Sequence, residues 1–236
     1  MLSLSRQAEG NRSMSTSLDG KRVLVTGGTR GMGAATAEQL SAQKAHVVVT
    51  ARHQDDGSPA TLILADLTSP EGAAFVADQA IEILGGLDVV VHCVGASFAK
   101  PGGALALTDD DWMQALDTNL LSAVRLDRAI LPGMVEQRSG AIVHVSSLQW
   151  KRPHESSPAY GPAKAALRSY SKVLASQYCL VKRRSISQST FPQRHAREFV
   201  DDLLIRLPCF HFPCCSDIFS PWAKPGLVLQ WYQVRV

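Results

Sequence analysis

Tyr160 and Lys164 stand four residues apart in Tyr160-Gly161-Pro162-Ala163-Lys164. On a helix that spacing puts a phenol and an ammonium on one face, where their polar ends address one site. A phenol with an unperturbed pKa of about 10 is a poor proton shuttle at neutral pH, and a neighbouring cation favours its ionised form. Upstream, the run Ala141-Ile142-Val143-His144-Val145 leads into Ser146-Ser147. Pro162 follows Tyr160 closely, and a proline is acceptable only near a helix N-terminus, so the helix is expected to begin near Pro158.

A second set of residues suits a phosphate. Arg22 to Thr26 reads as a strand and runs through Gly27-Gly28-Thr29-Arg30-Gly31-Met32-Gly33 directly into a helical stretch. In that context glycines let the backbone turn sharply and approach a pyrophosphate, whose charge the free N–H groups at the helix N-terminus stabilise. A side chain at Gly31 or Gly33 is expected to obstruct the approach. The next strand, His46 to Thr50, is followed by Ala51-Arg52 and carries no acidic residue to meet the ribose hydroxyls of NAD. Arg30 and Arg52 are instead suited to clamp a 2′-phosphate, which favours NADP and leaves NAD open; the alternative is two solvated surface cations.

The elements that would position these groups alternate. Strand-like runs at Arg22 to Thr26, His46 to Thr50, Thr61 to Ala65, Asp88 to Val91 and Ala141 to Val145 are nearly continuous in aliphatic residues, as strands buried on both faces require. Helical patterns lie between them at Met32 to Gln43, Pro70 to Leu84, Asp109 to Arg138 with a break near Asn119, and Pro158 to Leu180. Ser69 and Thr108 precede acidic first turns and read as helix caps. Trp112, Leu116, Leu120 and Val124 recur at helical spacing and are expected to face the core. This alternation predicts an α/β fold, a Rossmann-like doubly wound parallel sheet.

The glycine pattern T-G-x-x-x-G-x-G, followed in order by Asn119, Ser147 and Y-x-x-x-K, resembles the short-chain dehydrogenase/reductase family over about residues 20–178. The resemblance implies an NAD(P)-dependent oxidoreductase that interconverts an alcohol and a carbonyl, and a homodimer or homotetramer built through the Asp109 to Arg138 and Pro158 to Leu180 helices. It implies Tyr160 as general acid/base and Lys164 as its electrostatic partner and ribose ligand. Ser147, rather than Ser146, would polarise the substrate oxygen, and Asn119 would hold a water in the proton relay. Gly27, Thr29, Arg30, Gly31, Met32 and Gly33 would take the cofactor with Arg52. Asp66-Leu67 resembles the pair that contacts adenine, although an aspartate there also caps turns. Where many members have Asn-Asn-Ala-Gly, this chain has His92-Cys93-Val94-Gly95, which keeps the glycine for cofactor approach. His92 and Cys93 read as packing and hydrogen-bonding residues rather than a metal site or nucleophile. Trp150 and Phe98, beside these motifs, are candidates to line a substrate cleft.

The 236-residue chain as a whole narrows the classes. A formal net charge of +3 without a long block of like charge argues against nucleic acid as a partner, and no apolar run reaches the length of a membrane span. Five unevenly placed cysteines argue against a disulfide framework and favour a reducing cytoplasm. Residues 1–19 are Ser-rich and polar and read as a loose leader, and residues 20–180 as the nucleotide-binding domain. Residues 181–236 change composition abruptly and lack the family's Pro-Gly strand end and substrate loop. A reading-frame change or alternative splice near Ser176 to Lys182 would account for this, leaving the sheet incomplete at its C-terminal edge. Cys209, His211, Cys214 and Cys215 match no common zinc spacing, so no metal is expected. Phe199, Val200, Leu203, Leu204 and Leu207 could form a helix over the open edge. A catalytically impaired dinucleotide-binding protein is therefore the alternative to a working enzyme, with a poorly folded product the third reading.

Overall fold

The computed structural model describes residues 18–54 and 60–178 together with a two-residue strand at 230–231. Residues 1–17 of the expected leader, the Cys209 to Cys215 stretch and the candidate tail helix lie outside the described residues, whereas Leu18, assigned to the leader, is buried in the core. Five parallel strands form the sheet: β1 (Arg22–Thr26), β2 (His46–Ala51), β3 (Thr61–Leu64), β4 (Val89–His92) and β5 (Ala141–His144), in the order β3-β2-β1-β4-β5. The order reverses between β1 and β4. Chain direction there diverges, opening a crevice beyond the carboxyl ends of those strands, the usual ligand position in such sheets.

Alternation along each strand explains the two-sided core. Val23, Val25, Val47, Val49, Val89, Val91 and Val143 point to one face and pack with Ala37 and Leu40 of α1 (Gly31–Ala42). Leu24, Val48, Ile63, Val90 and Ile142 point to the other and meet α2 (Pro70–Leu84), α4 (Ser122–Glu136) and Leu174 of α5 (Tyr160–Tyr178). Each fully buried valine or leucine contributes about 1.5–3 kcal/mol of transfer free energy, so uninterrupted aliphatic runs are what a doubly covered sheet selects. Arg22 and Asp88 cross-link the entry ends of β1 and β4 through paired contacts of 2.8 and 3.1 Å.

Both expected caps are present. The Ser69 hydroxyl accepts the Gly72 N–H at 2.9 Å, and Thr108 forms a reciprocal capping box with Asp111 at the start of α3 (Asp109–Leu116). The break near Asn119 is a π-helical segment, Asp117–Leu121, between α3 and α4. That segment also corrects the expected core stripe. Trp112, Leu116, Leu120 and Val124 are all only half-buried, whereas Ala115, Asn119, Ala123, Leu126 and Ile130 turn inward. The wider π turn shifts the phase of the apolar stripe, which a constant 3.6-residue period does not anticipate.

At the β5 edge the sheet ends differently from a wholly parallel one. A short strand, β6 (Gln230–Trp231), pairs antiparallel with β5, Val143 opposite Trp231 and His144 opposite Gln230. Helix α5 begins at Tyr160 rather than Pro158, placing Pro162 in its first turn, where the missing N–H leaves no bond unmade.

Candidate active site

The glycine turn closes the exit of β1. Gly28 donates its N–H to the Thr50 carbonyl at 3.1 Å, tying the turn to β2. A Cβ at Gly33 would lie 2.1 Å from the Gly27 carbonyl oxygen, so this glycine is required by the turn's own packing. Gly31 differs: its φ is +54° and a Cβ there would meet nothing within 4 Å. The expectation that both glycines clear space for a ligand thus separates into a steric requirement at Gly33 and a left-handed backbone at Gly31. Helix α1 has no side-chain cap bond from Arg30 and no acidic residue in its first turn, unlike α2 and α3. Its N-terminal N–H groups are chemically matched to a pyrophosphate, and the turn fits that group.

Around the turn, the other expected cofactor residues separate by exposure. Thr29 and Met32 are half-buried, while Arg30 and Arg52, which follow the carboxyl ends of β1 and β2, are exposed. The Asp66 carboxylate accepts from the Thr68 N–H at 2.9 Å and its hydroxyl at 2.8 Å, and these bonds, foremost the backbone one, hold its pKa below the ordinary value. Leu67 points its side chain into the core at 4% exposure. Asp66 thus caps a turn, and Leu67 offers only backbone toward a ligand.

The proton-handling groups gather at the exits of β4 and β5. Lys164 is 3% exposed, donates to the Val145 carbonyl at 3.1 Å, and lies 5.9 Å from the centre of the Tyr160 ring. Burial lowers its pKa to about 8 from an ordinary 10.5, with Cys93 opposing the shift. The first turn of α5 brings both side chains to one face because they are one helical turn apart. Ser147 is 5% exposed and its hydroxyl accepts the Gln149 N–H at 3.3 Å, whereas Ser146 donates to the backbone carbonyl of Lys164 at 3.4 Å.

Asn119 sits in the π segment with its side chain fully engaged. Its Nδ2 donates to the Ala96 and Ala115 carbonyls at 2.8 and 3.0 Å, and its Oδ1 accepts the Ala96 N–H at 3.1 Å. The amide therefore clamps the loop after β4 onto the helix break; π segments often mark such sites. Gly95 lies in that loop. A Cβ there would be 2.9 Å from Lys164 Nζ and 3.1 Å from Asn119 Oδ1, so the glycine leaves room for the catalytic candidates themselves. Thr26 ties down the start of the same loop, its hydroxyl accepting the N–H groups of Cys93 and Val94 at 3.2 and 3.4 Å.

Burial pushes the Cys93 thiol up to about 12, with Lys164 pulling the other way, so it is not poised as a nucleophile. Trp150 is half-buried with the Arg168 guanidinium 3.5 Å over its ring, and Phe98 is half-buried in the loop after β4. His92 is a hydrogen-bonding residue, but its partner Asp127, and the His144 that shares that carboxylate, escape sequence reading. They lie 35 residues away and in the next strand, and nothing in local periodicity links them.

A phosphate-suited turn at one strand exit, with a lysine and tyrosine beside the neighbouring exits, is the layout of a nicotinamide-dependent oxidoreductase. The short chain dehydrogenase profile matches residues 21–182. The chain belongs to this short-chain dehydrogenase family. It is 31% identical over 166 residues to a 3-oxoacyl-[acyl-carrier-protein] reductase of Vibrio cholerae, covering 67% of each chain. It is likewise 31% identical to a fatty acyl-CoA reductase of Mycobacterium tuberculosis, covering 68% of this chain but 59% of that one. Among solved structures, the aldohexose dehydrogenase of Thermoplasma acidophilum superposes with a TM-score of 0.66 at 26% identity, covering 69% and 63% of the two chains. The L-sorbose reductase of Gluconobacter frateurii, solved with NADPH and L-sorbose, gives 0.64 at 29% identity, covering 69% and 66%. The shared portion is thus about three-fifths to two-thirds of these relatives. Among the described residues no helix is long and apolar enough to cross a membrane.

Proposed function

We propose that the chain is an NADP-preferring carbonyl reductase, working between an alcohol and a ketone or aldehyde, with Tyr160 as the acid that protonates the developing alkoxide. The observation that carries this reading is the buried Lys164 ammonium, 5.9 Å from the Tyr160 ring and directed there from the same helix turn. Bound nicotinamide would supply the hydride. Gly27 to Gly33 and the α1 N-terminus hold the pyrophosphate, and Arg30 and Arg52 favour a 2′-phosphate by charge. Ser147, its hydroxyl oxygen still accepting the Gln149 N–H, donates its own O–H to the substrate oxygen, and Tyr160 delivers the proton to that oxygen. Lys164 stabilises the phenolate left behind, in a site where little water competes for its charge. Asn119 acts as a positioning residue that holds the Gly95–Ala96 loop and, by resemblance to the family, holds a water in the proton relay.

The oxoacyl and acyl-CoA reductases among the relatives favour a β-keto ester as the first probe, and the sugar enzymes favour a ketose as the second. NADPH oxidation with ethyl acetoacetate and with L-sorbose, repeated with NADH, tests the reading. Turnover with NADPH exceeding that with NADH is expected. NADPH binding without turnover on a broad carbonyl panel would instead support a dinucleotide-binding protein. The cytoplasmic setting and the homo-oligomer through α4 and α5 remain part of the same proposal, and sedimentation of the purified chain tests the latter.

A further inference from the structure

Beneath the site lies a polar cluster that the proposed chemistry does not use. His92 Nε2 is 2.8 Å from Asp127 Oδ1, His144 Nε2 is 3.0 Å from Asp127 Oδ2, and Ser171 Oγ is 2.6 Å from His144 Nδ1. The imidazoles stack with centres 4.8 Å apart at 11°. All four side chains are at most 4% exposed. The bonding pattern follows from donor chemistry. A carboxylate only accepts, so both Nε2 atoms donate, and Ser171 then donates to the Nδ1 of a neutral His144.

The four residues come from four different elements, each of which carries or directly adjoins one part of the proposed site. His92 ends β4, just before Gly95; His144 ends β5, just before Ser146 and Ser147. Asp127 is on α4, two turns beyond Asn119, and Ser171 is on α5, two turns beyond Lys164 on the same face. His92 and His144 are register partners in the sheet, so one carboxylate reaches both. We infer that His92, Asp127, His144 and Ser171 form a positioning network that fixes these four elements relative to one another, so that Gly95, Asn119, Ser147 and Lys164 meet in one geometry. The inference rests on the reductase reading for its kinetic consequence, but not for its structural one.

An apolar cluster of equal volume would fill the space without removing a carboxylate from water. What apolar packing does not supply is direction. Apolar contacts such as those of Leu126, Ile130 and Met134 are non-directional, whereas a carboxylate shared by two imidazoles, one of them also bonded to the Ser171 hydroxyl, is satisfied in one register only. The half-site of each bond is on a different element, so displacing any one leaves a buried polar atom without its partner.

The test uses the full chain with Asp127→Ala, Asp127→Asn, Ser171→Ala and, as a control for general loss of stability, Ile130→Ala on the same helix. Amide hydrogen exchange is followed in residues 92–97 and 144–148, and kcat and KM are measured with NADPH and ethyl acetoacetate. Asp127→Ala is expected to speed exchange in both segments and lower kcat by about thirtyfold, the scale of a sub-ångström misplacement, with KM for NADPH nearly unchanged. Asp127→Asn, which retains an acceptor oxygen, should recover most of that loss. Ile130→Ala should lower the melting temperature while leaving kcat of the folded protein within about twofold. Should Asp127→Ala not fold, Ser171→Ala decides: faster exchange confined to 144–148 supports the network, and unchanged exchange overturns it. If the wild type turns over no carbonyl, the reductase reading fails while the exchange pattern still judges the network. Indistinguishable behaviour of Asp127→Ala and Ile130→Ala would overturn it. So would one equivalent of zinc retained through dialysis against EDTA, because the three buried ligand atoms, within 4.8 Å of one another, would then be serving an ion.

Discussion

Gly95→Ala should damage catalysis far more than folding. The added Cβ would stand 2.9 Å from Lys164 Nζ, 3.1 Å from Asn119 Oδ1 and 3.4 Å from Lys164 Cε. Ordinary contact is at about 3.5 Å, so the ammonium must retreat by roughly half an ångström. It has little freedom to do so, being enclosed and hydrogen-bonded to Val145 at 3.1 Å. Gly95 is outside the left-handed region, so alanine brings no backbone strain. Overpacking of this size costs about 1 kcal/mol of stability. Misplacement of a reacting group by about 1 Å can cost a hundredfold in rate, so a ten- to hundredfold fall in kcat is expected here. Steady-state kinetics at saturating NADPH, paired with urea unfolding of the same preparation, separates the two effects. A variant with kcat within twofold of wild type would refute the argument that Gly95 makes room for Lys164.

Lys164→Met should raise stability at pH 7 while removing activity. Burial lowers the lysine's pKa to about 8 from an unfolded 10.5, so its charged form is disfavoured in the fold by on the order of 3 kcal/mol below pH 8. Wild-type stability should accordingly rise between pH 8 and 10.5, and urea unfolding of the variant should show a flatter profile there. Arg52→Ala should weaken NADPH binding by about tenfold and leave NADH nearly untouched, read by fluorescence titration; equal changes would remove the phosphate clamp. His144 is held below its ordinary pKa, chiefly by burial. The unfolded chain therefore takes up a proton below about pH 6.5 that the fold refuses, and stability should fall as pH drops from 7 to 5.5, by up to about 1.4 kcal/mol per pH unit. His144→Gln should shallow that slope; an unaltered slope would assign it to other groups.

The elements were largely legible because their signals are local. Aliphatic runs bounded by turn residues marked all five parallel strands, and Ser69 and Thr108 marked two helix starts through hydroxyls set before acidic turns. The order of Gly27 to Gly33, Ser147, Tyr160 and Lys164 was likewise readable, since each motif sits at a strand exit or on one helix turn. Geometry that depends on tertiary contact was not. The π segment around Asn119 shifted the core stripe, because a one-residue change in helical phase leaves no compositional mark. That the Leu67 side chain packs into the core was not readable either, because one leucine after a strand does not say which way it points. The Asp127 network was invisible for the same reason: a lone aspartate among α4's apolar residues reads as surface until β4 and β5 bring two imidazoles to it.

In the proposed reaction Tyr160 supplies the proton to a carbonyl oxygen while the cofactor is held by other residues. Tyr160→Phe removes one oxygen and leaves the ring's packing in place. Single-turnover transfer of deuterium from 4-deuterated NADPH to ethyl acetoacetate, read by mass spectrometry alongside NADPH affinity, measures both halves of that claim. Label is expected in the wild-type product, with transfer in the variant slower by about 10² to 10⁴, the usual contribution of a general acid, and unchanged affinity. Transfer at the wild-type rate by the phenylalanine variant would contradict that role of Tyr160.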